Sequence, residues 1–216
     1  MKKMDRRDFF KATMGFAGLS IIMPVISACE NNTANEDIQL PMEKPKKWNP
    51  IEFNRTRGNK GAIPQSYLPA INGPEGEKKH IGKHLPYIPV LDKSIIIPAG
   101  FIPIMWGDPA KGHAPHPNAV PGPDNNFLGH WYNRIEIRRA ISVYAQTETS
   151  TYSGWPANTD HASGLYISAT GGELTSDNGI NTVYLAKLPS DVKKGDTIRI
   201  LAHCLTHGEY VDFLTI

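Results

Sequence analysis

Residues 77–216 contain short runs of apolar and β-branched residues that Gly, Pro, Asn and Asp interrupt at short intervals. Several of these runs alternate apolar and polar residues as strands do, and each is short for a helix. No capped amphipathic helix is evident beyond a short turn near 190–194. The pattern therefore predicts an all-β domain, a β-sandwich, over 77–216. The runs lie at 94–98, 101–106, 135–137, 141–145, 165–169, 182–186, 197–202 and 210–214.

Two long segments rich in turn-forming residues lie between the runs, at 107–129 and 147–164. Long loops in a compact β domain usually carry function. We therefore expect functional residues in these loops or at the strand ends beside them.

The first 28 residues have the composition of a signal peptide rather than of a membrane span. A pair of arginines, Arg6 and Arg7, precedes an apolar run at 12–26 that is short and contains glycine and proline. The run ends in Ile-Ser-Ala-Cys, which resembles a lipobox with Cys29 as the lipidated residue; ordinary secretion with cleavage nearby is the alternative. We expect export by the twin-arginine route to the periplasmic or extracytoplasmic face. The membrane would be contacted only through a lipid anchor on Cys29.

Removal of this leader changes the charge of the chain. The leader holds five of the 23 basic residues and two of the 21 acidic ones, which leaves 18 basic and 19 acidic residues and a net charge of −1. The net charge of +2 of the whole chain thus belongs to the leader, and nothing indicates a nucleic-acid partner.

Two segments without a strand pattern follow the leader. Residues 29–47 are polar and rich in Asn, Glu, Lys and Pro, as is typical of a tether. Residues 48–76 contain scattered apolar residues with frequent Gly and Pro. We expect them to form an irregular strap that lies on the domain.

Cys204 is one of only two cysteines, and if Cys29 is lipidated no internal disulfide can form. A lone thiol outside the cytosol is open to oxidation unless something masks it, and metal coordination would do so. The strand pattern runs into Cys204, and His207 and Gly208 follow in an expected hairpin loop where Gly208 takes a positive φ. By themselves, Cys204 and His207 are compatible with a metal site, with a nucleophile and its base, or with a buried cysteine beside an exposed loop histidine. The last of these is the commonest.

Three more histidines lie at expected strand ends or in the first long loop, at His84, His116 and His130. Ligands from different strands can converge at such positions. One thiolate with several imidazoles and no obligatory carboxylate suits Fe, Cu or Zn better than Mg or Ca. His203 is expected to point away from the Cys204 side by strand alternation, and His161 to be a surface residue.

In this order, these residues resemble the iron domain of superoxide reductases, the neelaredoxin and desulfoferrodoxin family. The resemblance covers 77–216 and implies an immunoglobulin-like seven-stranded β-sandwich that holds one iron, Fe2+ or Fe3+. The implied ligands are four equatorial imidazoles, from His84, His116, His130 and His207, with the Cys204 thiolate as the axial ligand. The features that carry it are Lys83-His84-x-Pro86, His116-Pro117-Asn118, His130 ahead of the Ile-Glu-Ile run at 135–137, and Cys204-x-x-His207-Gly208.

The resemblance also implies a reaction, the reduction of superoxide by one electron and two protons to hydrogen peroxide. Lys83 is adjacent to His84, and its positive charge would steer superoxide to the site and help deliver a proton. The alternative is a solvated lysine in a basic run with Lys78 and Lys79. Such an enzyme needs an electron donor, whether a rubredoxin-like protein, a cytochrome or another periplasmic reductant. Homo-oligomerisation is left open.

The chain departs from the family in three respects. Gly82 stands where the family often has the glutamate that can fill the sixth iron position, and Glu77 is a nearby candidate to replace it. The segment 119–129 is longer than in the family, so His113 or His80 is an alternative ligand. The four cysteines of a second, rubredoxin-like iron centre are absent from the sequence.

Two other functions compete with this interpretation. One is a non-catalytic exported β-sandwich module that binds metal or carries sulfur on Cys204 for a periplasmic redox complex. The other is hydrolysis by a Cys–His nucleophile, for which the sequence offers no evident orienting Asn or Asp and no oxyanion loop.

Overall fold

Two antiparallel sheets of four strands each form the body of the molecule in the computed structural model, which describes residues 38–216. One sheet has the strand order β1-β2-β6-β5 and the other the order β4-β3-β7-β8. The strands are β1 (Pro86–Tyr87), β2 (Phe101–Trp106), β3 (Tyr132–Arg139), β4 (Thr147–Thr151), β5 (Leu165–Ser168), β6 (Thr182–Lys187), β7 (Thr197–Cys204) and β8 (Gly208–Thr215).

The main core contains alternate residues from both sheets. On β7, Ile198, Ile200, Ala202 and Cys204 all belong to it, which is the period of two that strands impose. β2, β3 and β6 contribute Ile102, Ile104, Trp106, Tyr132, Ile135, Ile137, Tyr184 and Ala186, and residues beside the strands contribute Trp131, Tyr152 and Trp155. This arrangement agrees with the predicted all-β class and with a sandwich of two sheets.

Most of the expected strands are confirmed, since five of the eight apolar runs coincide with or lie within β2, β3, β6, β7 and β8, and the run at 165–169 extends one residue beyond β5. The run at 94–98 is not a strand, because Asp92 accepts hydrogen bonds from the backbone N–H and the hydroxyl of Ser94 and starts a turn there. Ile96 is 86% exposed as a result.

The run at 141–145 is not a strand either. The Arg138 side chain donates to the carbonyl oxygens of Ile141 and Val143, at 3.1 and 3.4 Å. A strand does form at β4, inside a segment expected to be a loop, because its Thr- and Ser-rich sequence pairs with β3. With the two-residue β1, the described residues form eight strands instead of seven.

Helices occupy much of the segment expected to be an irregular strap. They are α1 (Pro50–Arg57) and α2 (Leu68–Asn72), with short 3-10 or π turns at Gly58–Ala62 and Gln65–Tyr67. Two further turns, Gly76–Ile81 and Gly82–His84, follow in the part predicted to belong to the sandwich domain. Asn49 caps α1 by accepting from the Glu52 backbone N–H at 3.1 Å. No apolar stripe announces this helix, since its buried residues are the polar Asn54 and Arg57.

This N-terminal segment covers the free edge of β8. The Asn54 side chain donates to the carbonyl of Val211 and accepts from the N–H of the same residue, both at 2.8 Å. The indole of Trp48 donates to the Asp212 carboxylate at 2.6 Å. The edge strand thereby gains partners for backbone groups that its own sheet leaves unpaired.

Residues 1–37, which include the expected leader and Cys29, lie outside the described residues. Across 38–216, no helix combines the length and the apolar character needed to cross a bilayer. The expected boundaries at 28, 47 and 76 remain predictions.

We expect Asn54→Ala to lower the free energy of unfolding by about 2–4 kcal/mol, because it leaves two buried backbone groups of Val211 without partners. The matched control is Asn59→Ala, which removes only exposed hydrogen bonds to Asn72 and is expected to cost less than about 1 kcal/mol. Urea denaturation of both variants measures the difference. Equal losses would contradict the role given to Asn54.

Candidate metal centre

Four of the predicted ligands lie together at one end of the core. One donor atom from each of His84, His130, Cys204 and His207 lies within 4.8 Å of the donor atoms of the other three. His84, His130 and Cys204 are buried and His207 is partly buried. This group can hold a metal ion.

The Nδ1 atom of His207 lies at the centre of the group. It is 3.2 Å from Nε2 of His84, 3.0 Å from Nε2 of His130 and 3.9 Å from the Sγ atom of Cys204. A neutral imidazole nitrogen either donates one proton or accepts one. Three ring nitrogens at this spacing cannot all be satisfied by one another, whereas a single cation can accept all of their lone pairs.

The hairpin between β7 and β8 positions two of the four. Cys204 is the last inward-facing residue of β7 and pairs with Gly208, so the loop consists of only three residues. Gly208 has φ +84°, as the sequence predicts, and a Cβ there would lie 2.4 Å from the carbonyl oxygen of Ala62. The turn therefore needs glycine both for its conformation and for the close approach of the N-terminal segment.

The first long loop positions His130. Its backbone N–H and C=O both pair with Ala119, at 2.8 and 3.0 Å, which folds the loop back onto the start of β3. The Thr206 hydroxyl donates to the carbonyl of Gly129 at 2.6 Å. The hairpin loop and the His130 loop are thus fixed to each other.

A hydrogen bond to a backbone carbonyl and a stacked aromatic ring orient His84. Its Nδ1 atom lies 2.5 Å from the carbonyl oxygen of His80, so Nδ1 carries the proton and donates it. Its ring stacks on Tyr210 with the centroids 4.3 Å apart and the planes 5° from parallel. The other nitrogen, Nε2, therefore presents its lone pair to the group.

His116 lies against the group without being one of the four. It is only 2% exposed, and its ring centroid lies 4.2 Å from that of His130 and 5.0 Å from that of His84. Neither of its ring nitrogens has a hydrogen-bond partner among residues 38–216. A buried imidazole without partners is costly unless a ligand takes one nitrogen. Its assignment as a fourth histidine ligand stays a prediction.

The alternative ligands do not join the group. His80 bonds Tyr67 through its Nδ1, and the His113 ring packs closely against Gly82. Glu77 is exposed and is not a member of the group. The two histidines set aside from sequence behave as expected, since His203 pairs with Asn133 at 2.8 Å and His161 is exposed.

Lys83 lies beside the group and is partly buried, with its Nζ 5.7 Å from the centroid of the Tyr67 ring. Burial is the main cause of the pKa shift at all five predicted ligands. The positive charge of Lys83 is a smaller cause and lowers the pKa of each of the five. Burial lowers the pKa of Lys83 itself, while the nearby Cys204 acts in the opposite direction.

Burial keeps the donors neutral in the absence of a cation. It lowers the pKa of His130 to about 3 and of His207 to about 2, and it lowers the pKa of His84 and His116 well below the usual range. It raises the pKa of the Cys204 thiol to about 12, although the backbone N–H groups of His207 and Thr206 oppose this. A bound cation would supply the charge that turns this thiol into a thiolate.

Two aromatic neighbours of the group were not foreseen. Tyr210 stacks on His84, and Tyr67 stacks on His207 with the centroids 3.9 Å apart. The position of Tyr210, two residues after Gly208 on the same strand, was an available signal. No sequence signal identifies Tyr67, since it lies 140 positions away from His207.

Comparison of the chain with protein-family models, with curated proteins and with solved structures finds no match in any of the three. The donor set itself indicates which metals suit the centre. A thiolate with imidazoles is a set that Fe, Cu and Zn accept, and it lacks the oxygen ligands that Mg and Ca prefer.

We expect the purified chain to bind one metal ion, and Cys204→Ala to weaken that binding by at least about 100-fold, because it removes the only anionic donor of the group. His203→Ala is the control, since His203 is adjacent in sequence but bonds Asn133 instead. Titration of the metal-free chain with Co2+, followed by the thiolate-to-cobalt absorption band, measures both. Equal affinity in the two variants would contradict the site.

Proposed function

We propose that the protein is an exported mononuclear non-haem iron superoxide reductase. The observation that carries the proposal is the convergence of Cys204 with His84, His130 and His207, which the resemblance names as ligands of one ion. His116 is the remaining ligand that the resemblance implies. Its two unpartnered ring nitrogens and its contacts with His84 and His130 support that role. Iron held there would supply the electron that, with two protons, converts superoxide to hydrogen peroxide.

The fold is part of the proposal. The two four-stranded sheets would be a variant of the immunoglobulin-like seven-stranded sandwich, with the two-residue β1 as the additional strand. Export by the twin-arginine route and a lipid anchor on Cys29 belong to the proposal as well. So does an electron donor outside the cytosol, of the rubredoxin, cytochrome or other reductant class.

The residues around the centre suit an anionic substrate. Four neutral imidazoles and one thiolate leave a divalent cation with a net charge near +1, and Lys83 adds a second positive charge that acts on all five ligands. Positive charge at a partly buried site attracts a small anion and raises its rate of association. The Lys83 ammonium can also hold a proton next to the bound anion and donate it as the peroxide forms.

The burial of Cys204 argues against a sulfur-carrying role and against nucleophilic hydrolysis. A sulfur-carrying thiol must be reached by its partner, and Cys204 is 0% exposed. A nucleophilic cysteine needs a depressed pKa, whereas burial raises the pKa of Cys204 to about 12. Metal ligation is the role that an inaccessible thiol beside three imidazoles can fill.

Iron analysis with visible spectroscopy of the purified chain tests the function. One iron per chain, a thiolate-to-ferric absorption band that Cys204→Ser abolishes, and consumption of superoxide without release of dioxygen are the expected results. A chain that stays inert toward superoxide after anaerobic loading with Fe2+ would sink the proposal. Release of dioxygen would show dismutation instead of reduction.

We expect Lys83→Ala to lower the second-order rate with superoxide by about 10-fold at low ionic strength, because the charge that attracts the anion is lost. The deficit should shrink with added salt, since the Debye length falls to about 8 Å at 0.15 M. Lys83→Arg should retain most of the rate. The control is Lys187→Ala, an equal change of charge at an exposed position of β6. Lys187 pairs with Phe101, at the end of β2 opposite to Trp106 and the metal centre, and pulse radiolysis of this variant should find the wild-type rate. A salt-independent deficit in Lys83→Ala would contradict steering.

A further inference from the structure

Two residues outside the ligand set connect His84 to His207. The Tyr67 hydroxyl lies 2.9 Å from Nδ1 of His80, and the carbonyl oxygen of His80 accepts from Nδ1 of His84 at 2.5 Å. The Tyr67 ring stacks on His207, with centroids 3.9 Å apart and planes 28° from parallel. Because Nδ1 of His207 is 3.2 Å from Nε2 of His84, the contacts form a closed circuit.

The two ligands on this circuit are fixed in different ways. A backbone carbonyl sets the tautomer of His84, which leaves only Nε2 free to bind. The ring of His207 bonds no backbone group among residues 38–216, and it sits in a three-residue hairpin loop. Besides the ligand rings of His84 and His130, the stacked Tyr67 ring is the aromatic group that contacts the His207 imidazole, and it restrains the plane of that ring and the direction of Nδ1.

Both connecting residues belong to short turns in the N-terminal part of the described chain. Tyr67 ends the 3-10 turn Gln65–Tyr67, and His80 lies in the π turn Gly76–Ile81. A separate apolar cluster holds these turns against β8, and Tyr67 and Leu68 pack against it. The buried members of the cluster are Ile63, Ile71, Ile81 and Tyr210.

We propose that Tyr67 and His80 are positioning residues of the metal centre. They do not contact the ion; they hold the imidazoles of His84 and His207, which are 123 positions apart in sequence, in the orientation that binding requires. The inference rests on the metal centre of the proposed function and does not depend on which metal or reaction that centre serves. It gives the segment before the sandwich a role at the site in addition to covering β8.

Co2+ titration of the metal-free full chain tests the inference without any assay of activity. Loss of an outer-sphere partner typically weakens metal binding by about 10–100-fold. We expect a loss in that range for Tyr67→Ala, which removes both the stacking and the hydroxyl. A smaller loss is expected for Tyr67→Phe, which keeps the stacked ring and removes only the bond to His80.

The combination of Tyr67→Phe with His80→Ala separates positioning from general destabilisation. Because both changes remove the same hydrogen bond, the double variant should bind Co2+ no more weakly than His80→Ala alone, whereas independent effects would add. Tyr144→Ala, which truncates a tyrosine that is 90% exposed, is the matched control and should bind as the wild type does. If Tyr67→Ala fails to fold, Tyr67→Phe and His80→Ala carry the test.

Wild-type Co2+ affinity in Tyr67→Ala and His80→Ala would overturn the inference and leave the proposed enzyme intact. Full addition of the two losses in the double variant would also overturn it. A wild-type chain that binds metal but is inert toward superoxide would overturn the enzyme and leave the inference intact. A wild-type chain that binds no Co2+ would overturn both.

Discussion

β7 pairs with β3 on one side and with β8 on the other along nearly its whole length, so its alternation of inward and outward residues cannot slip. Ile198, Ile200 and Ala202 fill the core, and the next inward position is Cys204. The thiol is therefore placed at the end of the core by the same register that packs the sandwich. A shift of one residue would bring His203 inside and turn Cys204 outward. The core and the candidate centre thus depend on one strand register.

The candidate centre places imidazole nitrogens in the buried interior, where a polar atom without a hydrogen-bond partner lowers the stability of the fold. Each buried donor or acceptor without a partner costs about 1–3 kcal/mol, and both ring nitrogens of His116 lack partners among residues 38–216. Nδ1 of His207 and the Nε2 atoms of His84 and His130 beside it compete for too few protons. An ion that accepts these lone pairs removes the penalty, so its binding free energy adds to the stability of the folded chain. The atoms of the cluster therefore satisfy one another poorly as hydrogen-bond partners, whereas they suit the coordination of a metal ion.

The sequence specifies β6 and β7 well, because short apolar and β-branched runs such as 182–186 and 197–202 have few other interpretations. The strands predicted at 94–98 and 141–145 were wrong, because the side chains of Asp92 and Arg138 form hydrogen bonds with backbone groups that a strand would need. The sequence did not indicate β4, because its residues are polar and form a strand only through pairing with β3. Helix α1 was missed because it buries Asn54, which binds an exposed strand edge, and has no apolar stripe.

The site was more predictable than the parts that surround it. Positions at strand ends made His84, His130, Cys204 and His207 candidate ligands, and the family resemblance implied them as one set. Tyr67 and His80 become neighbours of these residues only through tertiary packing of the N-terminal segment. His84 precedes β1 in one sheet, whereas His130, Cys204 and His207 border β3, β7 and β8 in the other. An ion at the group would join the two sheets at one end, in addition to the segment 107–131 that connects β2 to β3 there. Since the ligands are far apart in sequence, such a link removes considerable conformational freedom from the unfolded chain. The centre would therefore stabilise the sandwich that positions it.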